Sequence, residues 1–427
     1  MNKLIYNFRK SLSLFLLNIA LKLNNHQLCA FILWLNIRKL RTIKFDNKKL
    51  KKILIFSKSG GNEDLRESFR DNSKNNIIFF WIPRSFLKKI FYHNFKNKTY
   101  KDYFTKITNS QEHNNKKLFV KFVTSMFKSL DNFLKLDGFI SFNIFYFAEK
   151  YLDQVCKNLN KKFIILHKES TFTPLEEKGA AKVYKNQNDK TLSHKISVYS
   201  EIQKKILIKS KIAKKNQVVV NGCPRSDYAF RLRNIKPQKN IIVYYIIENS
   251  RGSDLISNKT KVNWTKLYYQ TLKYLLDYAK NNSDIHLILK GKTGVHSKNQ
   301  FSSKYLPENC SFIDGGTGEK LLENAKVVIA FNSTIVLEAI ASNRNLIIPN
   351  FNNENEKKKK FLYKINIKKC FANSKKQFNK KINLYLSSKY RNKKLSPSEK
   401  GVLNYYLGNT DGNSGKKMRN FLYKIIN

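Results

Sequence analysis

A short polar segment, residues 331–334 (Phe-Asn-Ser-Thr), separates an apolar run from a stretch with helical spacing. Backbone N–H groups at a helix start have no partner within the helix and the helix dipole is positive there, so a phosphate group is bound readily. The hydroxyls of Ser333 and Thr334 would add donors. Serine and threonine are also ordinary helix caps, so the segment alone fits either a phosphate site or a plain helix start.

Two glycine-rich turns precede this segment along the chain. Lys290-Gly291-Lys292 leaves one predicted strand, and residues 314–318 (Asp-Gly-Gly-Thr-Gly) leave the next. Glycine lets the backbone approach a phosphate closely, and lysine supplies a mobile positive charge. The lysine turn is not a Walker loop, because the earlier glycine and the following helix are missing. Three such turns at successive strand ends would converge on one edge of a sheet, which favours a phosphate-containing ligand.

The first half of the chain contains a candidate acid–base pair, His167 and Glu169, just after a predicted strand. Either side chain could deprotonate an acceptor hydroxyl, and a positioned base contributes roughly 10²–10⁴-fold to such a step. The alternative is that both are ordinary surface residues of a loop.

A second turn in the first half, Ser59-Gly60-Gly61, follows the first predicted strand of the α/β region. Its two glycines permit close approach of a ligand or of another backbone. The turn does not match G-x-G-x-x-G, so we assign it to the acceptor side or to domain closure rather than to a dinucleotide.

The strands and helices that must position these residues are predicted to form α/β units. From Lys51 onward, short apolar runs alternate with helical stretches, which is typical of βαβ units and a parallel sheet. Two doubly wound, Rossmann-like domains are expected, 46–235 and 236–427, facing a cleft, with a final helix over 416–426. The predicted strands are 53–57, 77–82, 139–142, 163–166, 195–199 and 218–220 in the first domain, and 241–247, 285–289, 311–313, 327–331 and 346–348 in the second.

Residues 1–45 are expected to form an amphipathic helical segment. The apolar run 12–23 is shorter than the roughly 20 residues of a membrane span, and no small-x-small cleavage site follows it. Helices over 4–23 and 27–40 could place apolar faces on an anionic membrane surface, or pack those faces on the rest of the domain.

The net charge of +52, from 82 Lys and Arg against 30 Asp and Glu, favours anionic partners. Nucleic acid, anionic lipid headgroups and an anionic substrate such as a sugar nucleotide all fit. A codon bias toward A and T would produce the same excess of lysine without functional meaning. Because no helix-turn-helix, zinc finger or RNP-type strand is recognisable, nucleic acid is not the expected partner.

The cysteines and histidines indicate neither a metal site nor a disulfide framework. They form no C-x-x-C pair and show no zinc-like spacing, so a reducing compartment is the default and no metal or bound cofactor is expected. The five cysteines are Cys29, Cys156, Cys223, Cys310 and Cys370.

In combination, these motifs resemble the donor-binding domain of GT-B glycosyltransferases of surface and capsular polysaccharide pathways, a set related to CDP-glycerol glycerophosphotransferases. The resemblance covers roughly residues 160–425. It rests on residues 220–227 (VNGCPRSD), similar to the family's GxPRxD motif, on Lys290-Gly291-Lys292, on 332–334 with Glu338, Pro349 and Phe351, and on 406–412 (YLGNTDG) followed by Arg419.

The resemblance implies a role for each matching residue. Lys290 and Lys292 would neutralise the donor phosphates, Glu338 would contact the donor sugar or ribose, and Glu169 or His167 would be the base. The implied donor site comprises Lys290, Lys292, Gly318, Asn332, Ser333, Thr334, Glu338 and Arg225. Many relatives have a lysine-proline-histidine-proline element where this chain has Lys290-Gly291-Lys292, so the identity of the donor cannot be carried over.

The sequence therefore predicts a metal-independent transferase that moves a sugar from a nucleotide-activated donor to a surface polysaccharide or lipid-linked glycan. The expected location is the cytoplasm, either free or at the inner face of the cell membrane. A glycerophosphotransferase or a nucleotide-sugar epimerase on the same fold is the alternative, and a basic nucleic-acid-binding protein is the alternative from another class.

Overall fold

The chain forms two compact units in a computed structural model. The first unit comprises Met1–Ser170, Ala181–Arg225 and Asn413–Asn427, and the second comprises Thr171–Ala180 and Ser226–Gly412. The structure describes residues 3–40, 50–57, 60–70, 76–96, 109–144, 146, 148–168, 174–187, 190–238, 240–246, 264–292, 301, 306–316, 318–331, 333–351, 364–365, 367–390 and 393–427.

Each unit contains one sheet of mainly parallel strands with flanking helices, which confirms the predicted α/β class. The strand order is β1-β3-β2-β4-β5-β6-β7 in the first unit and β10-β9-β8-β11-β12-β13 in the second. The strands are β1 (Arg38–Lys39), β2 (Lys51–Ser57), β3 (Ile77–Pro83), β4 (Gly138–Ser141), β5 (Lys162–Leu166), β6 (Lys195–Val198), β7 (Val218–Val220), β8 (Ile241–Tyr245), β9 (His286–Lys290), β10 (Cys310–Ile313), β11 (Val327–Ile329), β12 (Asn345–Pro349) and β13 (Phe371–Ala372).

The strands follow from their composition, because β-branched and aromatic residues buried on both faces are typical of parallel sheets. Every residue of β4 and β11, for example, is buried. The helices are α1 (Lys3–Lys22), α2 (His26–Asn36), α3 (Gly61–Ser68), α4 (Arg84–Asn94), α5 (Ser110–Leu134), α6 (Leu152–Asn158), α7 (Pro174–Gln187), α8 (Glu201–Lys209), α9 (Asp227–Leu232), α10 (Trp264–Lys280), α11 (Thr334–Ala341), α12 (Lys375–Ser387), α13 (Pro397–Leu407) and α14 (Ser414–Ile426).

The two N-terminal helices are present, but the second ends earlier than predicted. The sequence predicts a helix over 27–40, whereas α2 ends at Asn36 because Ile37 is extended and β1 pairs antiparallel with β3, Arg38 opposite Trp81. Among the described residues, no helix combines the length and the apolar character that crossing a membrane requires.

The last helix, α14, packs in the first unit, although the predicted range 236–427 places it with the second series of strands. Its buried residues Met418 and Leu422 belong to the same apolar cluster as Ile53, Ile55 and Phe79 of β2 and β3. The first unit accordingly stops at Arg225 and resumes at Asn413. The apolar stripe of α14 fits this packing, because an amphipathic helix gains stability by covering an apolar surface.

Replacing Leu422 with alanine tests this assignment. Leu422 is fully buried, so Leu422→Ala should lower the free energy of unfolding of the first unit by about 2–5 kcal/mol. Lys416→Ala, on the exposed side of α14, should leave that free energy unchanged. Hydrogen exchange followed by mass spectrometry should show faster exchange in β2 and β3 and unchanged exchange in β8 and β11. Faster exchange confined to β8 and β11 would place α14 with the second unit instead.

Candidate functional site

Each sheet has one point at which its strand order reverses. In the first unit this point lies between β2 and β4, and in the second unit between β8 and β11. Open parallel sheets bind ligands at such points, beyond the carboxyl ends of the strands, because the connecting loops diverge there and leave a crevice.

In the second unit, the last residue of β8 contacts the segment that follows β10 near this point. Tyr245, the last residue of β8, donates a hydrogen bond of 2.7 Å from its hydroxyl to the carbonyl oxygen of Gly318. A Cβ atom at position 318 would lie 3.0 Å from Cε1 of Tyr245, so the tyrosine ring rests against the glycine. Gly318 begins a short 3₁₀ helix (Gly318–Leu322).

Helix α11 begins on the other side of the same point, directly after β11. Ser333 is its N-cap, with extended backbone (φ −119°, ψ 152°), and Thr334 is its first residue. Among the described residues, the Ser333 hydroxyl makes no capping hydrogen bond to the first turn. A serine hydroxyl at a helix start is a hydrogen-bond donor that a ligand oxygen could accept from. Asn332 lies outside the described residues.

A buried carboxylate faces the same region. Glu338 is only 4% exposed and lies four residues after Thr334, on the same side of α11. The pKa of Tyr245 is raised well above its usual value, chiefly by burial and further by the charges of Glu338 and Glu319. The phenol therefore stays protonated at neutral pH and acts as a hydrogen-bond donor.

Lys290 ends β9, the strand beside β8, in register with Tyr245. Its side chain is 8% exposed, and Nζ donates a hydrogen bond of 2.6 Å to the carbonyl oxygen of Gly291. Burial lowers the pKa of Lys290, and the nearby charge of Asp314 partly opposes that shift. Lys292, by contrast, is exposed.

These groups are suited to an oxyanion, because hydroxyls, a buried ammonium and first-turn backbone amides all donate hydrogen bonds. In the part of the chain that the structure describes, no group of three or more His, Cys, Asp or Glu residues could hold a metal ion.

In the first unit, a glycine turn lies against an aromatic ring at the corresponding point. A Cβ atom on Gly61 would lie 2.2 Å from Cγ of Phe142, the residue after β4, so only glycine fits against that ring. Gly60 has φ +85°, a conformation that other residues rarely adopt, and its amide donates to the Glu63 carboxylate at 2.5 Å. Ser59 lies outside the described residues.

Beneath this turn is a buried network that the sequence does not reveal. The Tyr199 hydroxyl donates to Oδ2 of Asp64 at 2.5 Å. Arg225 donates twice: its Nη1 to the Tyr199 hydroxyl oxygen at 2.9 Å, and its backbone N–H to Oδ1 of Asp64 at 3.1 Å. Burial raises the pKa of Asp64, opposed by the Arg225 charge and the Tyr199 hydrogen bond. Arg225, predicted for the donor site, thus lies in the first unit, whereas Lys290 and Ser333 lie in the second.

Of the two candidate bases, only His167 can be located. It follows β5, its backbone N–H donates to the Ser197 carbonyl at 2.8 Å, and its side chain is fully buried. Glu169 lies outside the described residues. Lys168 stands beside the glycine turn, with Cδ 3.4 Å from the Cβ position of Gly60. Gly60 is therefore flanked by two cationic side chains, Lys168 and Arg225.

No family model matches the sequence, and no curated protein matches it either. Solved structures of similar architecture include a glycosyltransferase from Rickettsia africae ESF-5, with 13% identity and a TM-score of 0.46 over 89% of this chain and 99% of that one. UDP-GlcNAc 2-epimerase from Neisseria meningitidis, bound to UDP-GlcNAc, has 11% identity and a TM-score of 0.45, covering 88% and 100%. A UDP-forming trehalose-phosphate synthase from Burkholderia xenovorans has 7% identity and a TM-score of 0.46, covering 88% and 100%.

Alanine substitutions at two glycines test whether the Gly60 turn is built for close approach. Gly60→Ala should destabilise the first unit by about 1–2 kcal/mol, because a left-handed backbone is strained for alanine, and its methyl group would also lie 2.8 Å from Nη1 of Arg225. Gly179→Ala is the matched control, since its methyl group meets nothing within 4 Å in α7 and should stabilise the helix. Thermal unfolding should separate the two variants, and equal melting temperatures would contradict the described geometry.

Proposed function

We propose that this chain transfers a sugar from a nucleotide-activated donor to a surface polysaccharide or lipid-linked glycan acceptor. The observation that carries the proposal is the reversal point of the second sheet. There the start of α11, whose Ser333 hydroxyl makes no capping hydrogen bond among the described residues, adjoins a strand end that carries the protonated phenol of Tyr245 and, one strand further, a buried lysine.

The donor's diphosphate is the group that this arrangement accommodates best. Its oxygens would accept from the first backbone amides of α11 and from the hydroxyls of Ser333 and Thr334, while Lys290 supplies positive charge. Negative charge grows on the departing diphosphate during transfer. Donors already fixed in place stabilise that charge without reorganising, which is a large source of catalysis in water-poor sites.

Glu338 would bind the sugar or the ribose of the donor. A carboxylate accepts hydrogen bonds and donates none when ionised, so neighbouring hydroxyl groups are its natural ligands. Glu338 is almost fully buried and its charge acts on Tyr245, so it lies close to the strand end where the donor would bind.

The first unit would bind the acceptor at the Gly60–Gly61 turn. In the transfer, a base removes the acceptor hydroxyl proton, the hydroxyl oxygen bonds to the anomeric carbon, and the bond from that carbon to the diphosphate breaks. His167 is fully buried, so Glu169 is the base that we propose. Glu169→Gln should abolish transfer while leaving donor affinity intact.

A binding screen with two serine variants tests the donor site. Calorimetry against UDP-, GDP-, CMP- and CDP-linked sugars and CDP-glycerol should show one preferred nucleotide. Ser333→Ala should lower the affinity for that nucleotide by roughly tenfold or more, because it removes a hydrogen bond to a charged group.

Ser374→Ala is the matched control for the screen. Ser374 is the N-cap of α12 in the same unit and does cap its helix, accepting from the Gln377 amide at 3.3 Å. Its loss should lower stability and leave nucleotide affinity unchanged. If Ser333→Ala behaves in the same way, Ser333 is a helix cap and the donor site is elsewhere. Product analysis by mass spectrometry then distinguishes sugar transfer from glycerol-phosphate transfer and from epimerisation.

The lowered pKa of Lys290 predicts how donor affinity depends on pH. A bound phosphate favours the charged ammonium, so binding should raise this pKa and take up a proton. Affinity should therefore fall as pH rises through the pKa of unliganded Lys290, which lies below its usual 10.5.

Lysine-to-methionine variants isolate this effect from the titration of the nucleotide itself. Dissociation constants measured from about pH 7 to about pH 10 should lose most of their pH dependence in Lys290→Met but keep it in Lys292→Met, because Lys292 is exposed. An unchanged pH profile in Lys290→Met would remove Lys290 from the donor site.

A further inference from the structure

The outward faces of the two N-terminal helices are apolar. Ten of the sixteen exposed large apolar side chains of the described residues lie on α1, on α2 or in the turn between them, with exposed fractions from 38% to 71%. They are Phe8, Leu12, Phe15, Leu16, Ile19, Leu23, Leu28, Phe31, Trp34 and Leu35, which we call the α1–α2 face.

The same helices are also apolar on their inward sides, where Leu17, Leu21 and Leu33 are buried. A surface helix of a globular protein usually exposes polar residues opposite its buried stripe. Here both sides are apolar, so packing within the first unit accounts for one side only. A hydrogen bond of 2.5 Å joins the two helices, from Nη2 of Arg9 in α1 to the carbonyl oxygen of Leu35 near the end of α2.

An aromatic cluster extends the α1–α2 face onto α5. The Trp34 ring lies 5.8 Å from that of Phe31 and 5.7 Å from that of Phe133, a residue of α5 that is itself 52% exposed. Tryptophan and phenylalanine at the boundary of a bilayer bury their rings among the acyl chains and headgroups. A contiguous apolar area of this kind marks an interaction surface rather than scattered surface residues.

The charge around this face selects the kind of partner. Residues 3–40 contain six Lys and Arg and no Asp or Glu. Basic residues beside an apolar helix face are attracted to anionic lipid headgroups, at about 1 kcal/mol for each cation near the surface. A second copy of the chain is a poor occupant, since two molecules of net charge +52 repel each other.

We propose that the α1–α2 face binds the surface of an anionic phospholipid bilayer, with both helices lying in the headgroup region. This inference is independent of the proposed transferase activity, because it uses no residue of the two candidate site regions. Apolar side chains supply the insertion, and the basic residues supply the preference for anionic lipid.

Flotation with lipid vesicles tests the proposal on the full chain. Wild-type protein should bind phosphatidylcholine vesicles containing about 30% phosphatidylglycerol more tightly than pure phosphatidylcholine vesicles. Phe15→Gln with Trp34→Gln should reduce the partition coefficient by at least about tenfold, because two buried aromatic groups are lost from the bilayer.

Leu384→Gln is the matched control, since Leu384 is 59% exposed on α12 of the second unit, close to the 62% of Phe15. It should bind vesicles like the wild type. If Phe15→Gln with Trp34→Gln also binds like the wild type, the overall charge alone attracts the protein and the proposal fails.

Quenching of tryptophan fluorescence by brominated lipids distinguishes insertion from electrostatic attachment. Trp34→Phe keeps the face apolar, so it should still bind vesicles but should lose most of the quenching seen with the wild type. Quenching that persists in Trp34→Phe would mean that another surface inserts. Sedimentation of a wild-type dimer that Phe15→Gln with Trp34→Gln dissociates, without vesicle binding, would assign the face to a second copy instead.

Discussion

Parallel strands joined by crossover helices must all point their carboxyl ends toward one edge of the sheet, and this constraint determines where chemistry can occur in the chain. Lys290 and Tyr245 end adjacent strands, and Ser333 follows a third strand before opening a helix. In the first sheet, Gly61 and Phe142 meet at the corresponding edge. The strands provide burial and direction, while the residues just beyond their ends provide hydrogen-bond donors, charge and space.

Much of this architecture could be predicted because it depends on local sequence. A strand buried on both faces needs a continuous apolar run, and the structure has a strand at each position where such a run was predicted. The features that the sequence did not predict, namely the short strand β1 and the unit to which the predicted helix α14 belongs, depend on distant partners. β1 is two residues long and exists by pairing with β3, and α14 is assigned by the apolar surface that it covers in the first unit. Periodicity identifies a helix but does not show which core it joins.

The same distinction applies to the candidate site. Turn chemistry pointed to Ser333, Lys290 and the glycines at 60 and 61, because glycine, lysine and hydroxyl residues after a strand are visible in the sequence. Hydrogen bonds between distant residues left no local signal: Tyr245 and Gly318 are 73 positions apart, and Tyr199 and Asp64 are 135 apart. A tyrosine that ends an apolar strand looks like core, and only the fold shows that its hydroxyl is directed at the segment after β10.

The return of α14 to the first unit has a consequence for synthesis on the ribosome. The 187 residues of Ser226–Gly412 are translated between Arg225 and the helix that covers β2 and β3. At ordinary translation rates of about 5–20 residues per second, the apolar surface that α14 covers therefore stays exposed for roughly 10–40 s until that helix has been synthesised. The inserted unit has all of its own strands before that time, so it can finish folding first. During this interval the nascent first unit is a natural client for a chaperone that recognises apolar surface.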